Sequence, residues 1–344
     1  MFSVPSVVKS PSSPAVPAES AWIVSPAFDL LFFANVAWLL AWLPAYSSGE
    51  GMTHIDFWQL FFITTPHRWI TLLLVTADPD RRVDRSGLFI GLGLVIAVAV
   101  AGVYLSLGTF RCLVLIDAVW NGWHFASQHS GITRIYGRKA GGGRRWLDIH
   151  ALRLFVFLVT LRLLGWATGW LESDSTGQQW LWWFDRIWLA FGGAILLAEV
   201  IDQPTARPGK VIYLASVIGL YGSLLWAISG RHGDLVTRLT VAAALFHAVE
   251  YLAIVTSYAW RRRSQGSEGL FRQMANRWLL VLALYVTLLG LLSHVANTSW
   301  RELWAGLNLW AAFMHYALDG MIWKLRKPAT AAALGANSSP GGDA

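Results

Sequence analysis

From residue 27 to residue 323 the chain is built of apolar stretches about twenty residues long, separated by short polar segments. A helix crossing a bilayer needs about 20 mostly apolar residues. The pattern predicts about ten such helices, near 27–46, 55–76, 87–107, 111–134, 149–171, 181–201, 210–229, 237–260, 277–297 and 301–323. This is the outline of an all-α, polytopic membrane helix bundle with a transmembrane domain over 27–324. Residues 1–26, rich in Ser, Pro and Val, and residues 325–344, rich in Ala, Gly and Ser, read as disordered segments on either side of it. The second span is interrupted by Thr64-Thr65-Pro66. A proline there predicts a bend that frees carbonyls, with the threonine hydroxyls partly satisfying them.

Composition agrees: 55% of residues are hydrophobic and only 14% charged, and mean hydropathy is +0.47. A soluble domain carries about a quarter charged residues. The net charge of +7 does not indicate nucleic acid, because the basic residues sit in short loops between apolar spans. One set of loops holds Arg81, Arg82 and Arg85, then Arg134, Arg138, Lys139, Arg144 and Arg145, then Arg207 and Lys210, then Arg261, Arg262, Arg263, Arg272 and Arg277, then Lys324, Arg326 and Lys327. The opposite set holds Arg111, Arg231, Arg238 and Arg301. By the positive-inside rule this asymmetry predicts an even number of spans with both termini cytoplasmic, as in a multi-pass protein of a bacterial inner membrane. The 21 tryptophans suit interfacial anchoring. Cys112 is the only cysteine, which excludes a disulfide framework or a thiolate cluster.

Against this apolar background, five histidines fall inside predicted spans: His67, His124, His129, His247 and His315. Ionisable groups in a membrane are costly and mark functional sites. Three have polar partners at helical spacing: His124 with Gln128, His247 with Glu250, His315 with Asp319. Asp117, Asn121, His124 and Gln128 form one helix stripe, and Asn308, His315 and Asp319 another. His129 lies roughly 140° around the helix from His124, so it joins the same site only through a bulge or at a wider mouth. Imidazole with carboxylate and no thiolate suits non-haem iron, manganese or zinc. The simplest centre uses His67, His124, His247 and His315 as ligands, with Glu250, Asp319 and Gln128 orienting the rings. A richer one adds His129, Glu250 and Asp319 as direct ligands and holds two metals. Asn121 and Arg68 are further supporting residues; Arg68 is expected to pair with an acid such as Glu250. Arg162, deep in the fifth span, is expected to form an ion pair with Asp117 or Asp185. No catalytic residue is assigned.

The motifs His124-x-x-x-Gln128-His129, His247-x-x-Glu250 and His315-x-x-x-Asp319 resemble those of polytopic membrane oxygenases that hold non-haem iron with helix-borne histidines. These are the lipid desaturases and hydroxylases and the bacterial membrane-bound carotene-cleaving enzymes. Gln128 stands where a desaturase box has histidine, and ligands spread over four spans are closer to the carotene-cleaving type. The resemblance implies one or two irons, oxidation of a lipid, isoprenoid or other apolar substrate arriving from the bilayer, and a separate cytoplasmic electron donor. Two other functions fit the same residues: a haem-binding electron carrier and a transporter for a metal ion or proton.

Overall fold

Backbone groups facing hydrocarbon are satisfied only in helices or closed barrels. The computed structural model describes residues 21–43, 57–82, 86–140, 144–170, 175–201, 208–264, 270–325 and 328–336, and all regular structure among them is helical. The long helices are α1 (Gln59–Ala77), α2 (Ser86–Leu107), α3 (Arg111–Lys139), α4 (Leu152–Thr168), α5 (Ser175–Ile201), α6 (Pro208–Ser229), α7 (Gly233–Ser264), α8 (Trp278–Ser299) and α9 (Arg301–Ile322). The short helix α10 (Pro328–Ala333) follows.

Five of these, α1, α2, α6, α7 and α8, are long and apolar enough to cross a membrane, against about ten expected. The shortfall has physical causes. Asp117 and Asn121 on α3, Asp185 and Glu199 on α5, and His315 and Asp319 on α9 lower the hydropathy of their helices, and α4 is only 17 residues long. The first predicted span, 27–46, is not one helix. Pro26–Phe28 runs into a π turn at Asp29–Phe33, and Val36–Trp42 is a 3-10 helix. Between them Asn35 is left-handed, φ 42°, a conformation Asn tolerates better than most residues. Asp29 explains the irregular path. Its carboxylate accepts from the Ile23 and Val24 amides (2.7 and 3.0 Å) and from the Tyr136 hydroxyl (2.8 Å), tying the segment to α3.

The segment from residue 325 on is expected to be disordered, yet Pro328–Ala333 is helical and residues 328–336 are described; 326–327 lie outside the described residues. Leu334 and Ala336 join the core cluster of α6 and α7, and Thr330 accepts from Arg81 (3.2 Å). Small apolar residues in α10 pack closely enough to bury, which composition alone does not reveal. Residues 1–20 and 337–344, the rest of the two segments read as disordered, lie outside the described residues.

α6 and α7 form the interior, whereas α2 and α8 are mostly exposed and turn Leu94, Val98, Leu105, Leu284 and Leu288 outward. So much contiguous apolar surface suits lipid, not water. α3 packs on both α4 and α9. Gly122 permits the close approach of α4, since a Cβ there would sit 2.5 Å from Thr160 Oγ1.

Helix direction follows from contacts at the ends. Arg81, just past α1, donates to Tyr258 near the end of α7 (3.1 Å) and to the Ile322 carbonyl ending α9 (2.8 Å). Arg138, near the end of α3, donates to the Leu325 carbonyl beyond α9 (2.8 Å). The C-terminal ends of α1, α3, α7 and α9 therefore meet on one side of the bundle, and these four helices run the same way.

Two buried ion clusters brace the frame. Lys210, read from sequence as a loop cation, is fully buried between Asp148 (2.9 Å) and Glu199 (2.7 Å). Arg162 reaches both oxygens of buried Asp185 (3.1 and 3.2 Å), so Asp185 is its partner and Asp117 is not. Removing one partner of a buried pair strands a charge and costs about 3–5 kcal/mol, whereas apolar replacement of both is nearly neutral. Asp185→Leu alone is expected to lower the thermal midpoint in detergent sharply. Adding Arg162→Met should restore most of the loss.

Candidate metal centre

Pro66 has no amide proton, and the turn before it widens to π geometry over Gln59–Thr64. The Thr65 amide bonds the Leu60 carbonyl, and its hydroxyl donates to the same oxygen (2.8 Å). The predicted bend is thus a π turn in which Thr65 satisfies a carbonyl and Thr64 Oγ1 accepts from the Gln59 side-chain amide; such turns recur at functional sites. It presents His67 to the interior, with Nδ1 2.6 Å from the Thr64 carbonyl. A carbonyl only accepts, so Nδ1 carries the proton and Nε2 keeps its lone pair.

His124 on α3, His247 on α7 and His315 on α9 meet His67 in a four-sided arrangement. Ring centroids lie 5.1 Å apart for His67 and His247, 5.0 Å for His67 and His315, 4.9 Å for His124 and His247, and 4.7 Å for His124 and His315. All four are buried. The ligand atoms of His67, His247 and His315 lie within 4.8 Å of one another, as do those of His124, His315 and Asp319, and either group could hold a metal ion. Two nitrogens bound at about 2.1 Å to a common ion lie about 3–4 Å apart, so modest side-chain shifts close the site.

The hydrogen bonds support that fit. His315 Nδ1 lies 2.7 Å from Thr71 Oγ1, and the Thr71 hydroxyl donates its single proton to Asp319 Oδ1 (3.2 Å). Thr71 therefore accepts from His315 Nδ1–H, and the lone pair of His315 is on Nε2. That nitrogen, His124 Nε2 and both nitrogens of His247 are buried with no hydrogen-bond partner among the described residues. Buried polar atoms are nearly always paired; neutral His247 keeps a proton on one nitrogen, so the cluster offers three unpaired lone pairs that fit a bound cation. Asp319 is divided between two tasks. Oδ1 also accepts from Tyr251 (2.6 Å), while Oδ2 faces His315 Nε2 (3.6 Å) and His124 Nε2 (3.8 Å). Phe125 stacks on His247 with centroids 4.0 Å apart and fixes its plane.

His129 and Glu250 are placed differently. His129 Nδ1 lies 2.9 Å from the Tyr213 hydroxyl and 3.1 Å from Glu250, and Nε2 lies 3.3 Å from the Tyr221 hydroxyl. Both its nitrogens are engaged, as its position around the helix anticipates. Glu250 accepts from Gln128 (2.9 Å), which also donates to the His247 carbonyl (2.8 Å). Neither belongs to a group with metal-binding separations, so the seven-ligand set expected from sequence divides into a five-residue cluster and an adjoining polar network. Arg68 pairs with Asp117 (3.9 Å), not Glu250. Tyr316, whose ring lies against His124, donates to Asp117 (2.8 Å) and lies 3.1 Å from Asn121. A cavity of about 630 Å³ reaches His124 and Asp319 along α3 and α9, within the usual range for small-molecule sites.

Sequence reasoning missed Thr71 and Tyr251. Each lies four residues after a candidate ligand, His67 and His247, and so shares its helix face; a search of those positions would have found both.

Partners that orient a ligand through its second nitrogen are worth about 10–100-fold in metal affinity. Titrating the metal-free protein with Fe²⁺ or Zn²⁺ should show Thr71→Val binding about 10–100-fold more weakly. His247→Ala should abolish binding, and His129→Phe should leave stoichiometry unchanged.

Comparison of the chain with protein-family models, curated proteins and solved structures finds no match.

Proposed function

We propose that this is a membrane-embedded, metal-dependent oxidoreductase that holds one non-haem iron and acts on a lipid, isoprenoid or other apolar substrate. The observation that carries the reading is the cluster of buried imidazole nitrogens without partners, contributed by α3, α7 and α9 and faced by His67 on α1. A nitrogen-rich set with one carboxylate suits iron, which when bound would supply redox and dioxygen chemistry.

The chain's own residues account for the rest. Thr64 and Thr71 hold His67 and His315 in the tautomer whose Nε2 has a free lone pair. Asp319 Oδ2 lies beside two of the rings, where it can balance positive charge or hold a proton. The cavity, with Ile132, Ile135, Ile254 and Met321 in its lining, has room and apolar surface for an acyl or isoprenoid chain. One ion is favoured over two because His129 and Glu250 are committed to Tyr213, Tyr221 and Gln128. A bare ion is favoured over haem because the rings meet edge to face at 4.7–5.1 Å, leaving no flat slot for a macrocycle.

In this reading the protein crosses a bacterial inner membrane about ten times with both termini cytoplasmic. The basic residues at the shared end of the four ligand helices, Arg81, Arg134, Arg138 and Lys324, support that orientation. Electrons come from a separate cytoplasmic carrier.

Purified in detergent, the protein should contain close to one iron per chain and show no Soret band. His124→Ala and His315→Ala should each lose the iron while keeping wild-type helicity by circular dichroism. A Soret band, or full iron retention in both variants, would overturn the reading.

A further inference from the structure

The cavity beside the histidines is not uniformly apolar. It runs along α3 from Trp120 to Arg134, fourteen residues and about 21 Å of helix. His124 and Asp319 lie in its lining, Arg134 and Lys324 stand at the rim, toward and past the C-terminal ends of α3 and α9, and Arg153 lies beside Trp123, next to His124. Asp319 is the only acid lining it among the described residues. Arg134 is paired with Asp148, so the acid nearest that rim already has a cation.

Arg153 is arranged differently. It opens α4, and its guanidinium carbon lies over the Trp123 ring, 5.1 Å from the centroid. Its Nε is buried and has no hydrogen-bond partner. A snorkelling arginine sends its head to water; here the head lies on an aromatic wall of the cavity with a donor shut away. Arginine in such a setting recognises carboxylate or phosphate. Lys324, just past α9, places a second positive charge in the lining. Ile132, Ile135, Ile254 and Met321 supply apolar lining, and Ser127, Gln128 and Ser130 of α3 add polar groups to it.

We propose that the cavity binds a single-chain amphiphile with an anionic head, the head held by Arg153 and Lys324 and the chain lying along the apolar part of the lining. That this amphiphile is the substrate rests on the oxidoreductase reading above; the binding site itself does not.

The test uses the full-length protein in a neutral maltoside detergent and the fluorescent fatty acid cis-parinaric acid, read by energy transfer from tryptophan. The acid should bind at least tenfold more tightly than its methyl ester. Arg153→Gln and Lys324→Gln should each weaken acid binding about tenfold while leaving ester affinity and the thermal midpoint unchanged. Oleate or oleyl phosphate should displace the probe, and their relative potency tells a carboxylate head from a phosphate head. Equal affinity for acid and ester, unchanged acid binding in Arg153→Gln, or displacement by oleyl alcohol as effective as by oleate would overturn the proposal. Metal analysis of the same samples keeps the two ideas apart. Charge-dependent acid binding in a protein without iron supports this site and ends the oxidoreductase reading, and iron with charge-independent binding does the reverse.

Discussion

A neutral imidazole brings one donor and one acceptor into a bundle, and away from water each needs a partner. This requirement separates the buried histidines. His129 meets it with Tyr213, Tyr221 and Glu250, and is a structural group in a closed network. His67 and His315 meet half of it, each giving its Nδ1 proton to a threonine oxygen, a carbonyl in one case and a hydroxyl in the other. What is left over, on His124, His247 and His315, comes from three helices at once, and a shared electrophile would take up the lone pairs among it.

The helices are organised to produce that convergence. α1, α3, α7 and α9 run in the same direction and end together, held by Arg81 and Arg138. Each delivers one ring near the same level. α1 is the helix most altered to do so: the π turn before Pro66 is sustained by the Thr65 hydroxyl on one side and by Tyr285 of α8, which donates to the Pro66 carbonyl (2.9 Å). The strain of a wide turn is placed where a proline had already removed an amide.

Much of this could be read from the sequence because polar residues are conspicuous in an apolar chain. His67, His124, His247, His315 and Asp319 stand out individually, and the helical stripe of α3 separates His124 from His129. The failures share one cause, that sequence patterns locate polar groups without naming their partners. The sequence offers Arg68 an acid such as Glu250, and the acid it meets is Asp117; Lys210 reads as a loop cation and is buried between two acids. Thr71 and Tyr251 were overlooked because hydroxyl residues are common in membrane helices and their role depends on what lies across the interface. The irregular segment before residue 43 and the docking of α10 follow from single tertiary contacts, those of Asp29 and Thr330, which no local window contains.

Charge accounting connects the centre to its cavity. In the proposed reading, a divalent ion among neutral imidazoles, with Asp319 as the nearby anion, would keep excess positive charge in a region of low dielectric, where each uncompensated charge is expensive. Asp117 does not relieve it, being committed to Arg68 and Tyr316. Nor does Glu250, which is held by Gln128 and His129. The remaining compensation has to enter from outside the chain, as an anionic ligand at the ion or as negative charge along the cavity. The cavity that reaches the cluster carries Arg134, Arg153 and Lys324 in its lining, and cations there favour molecules of negative charge.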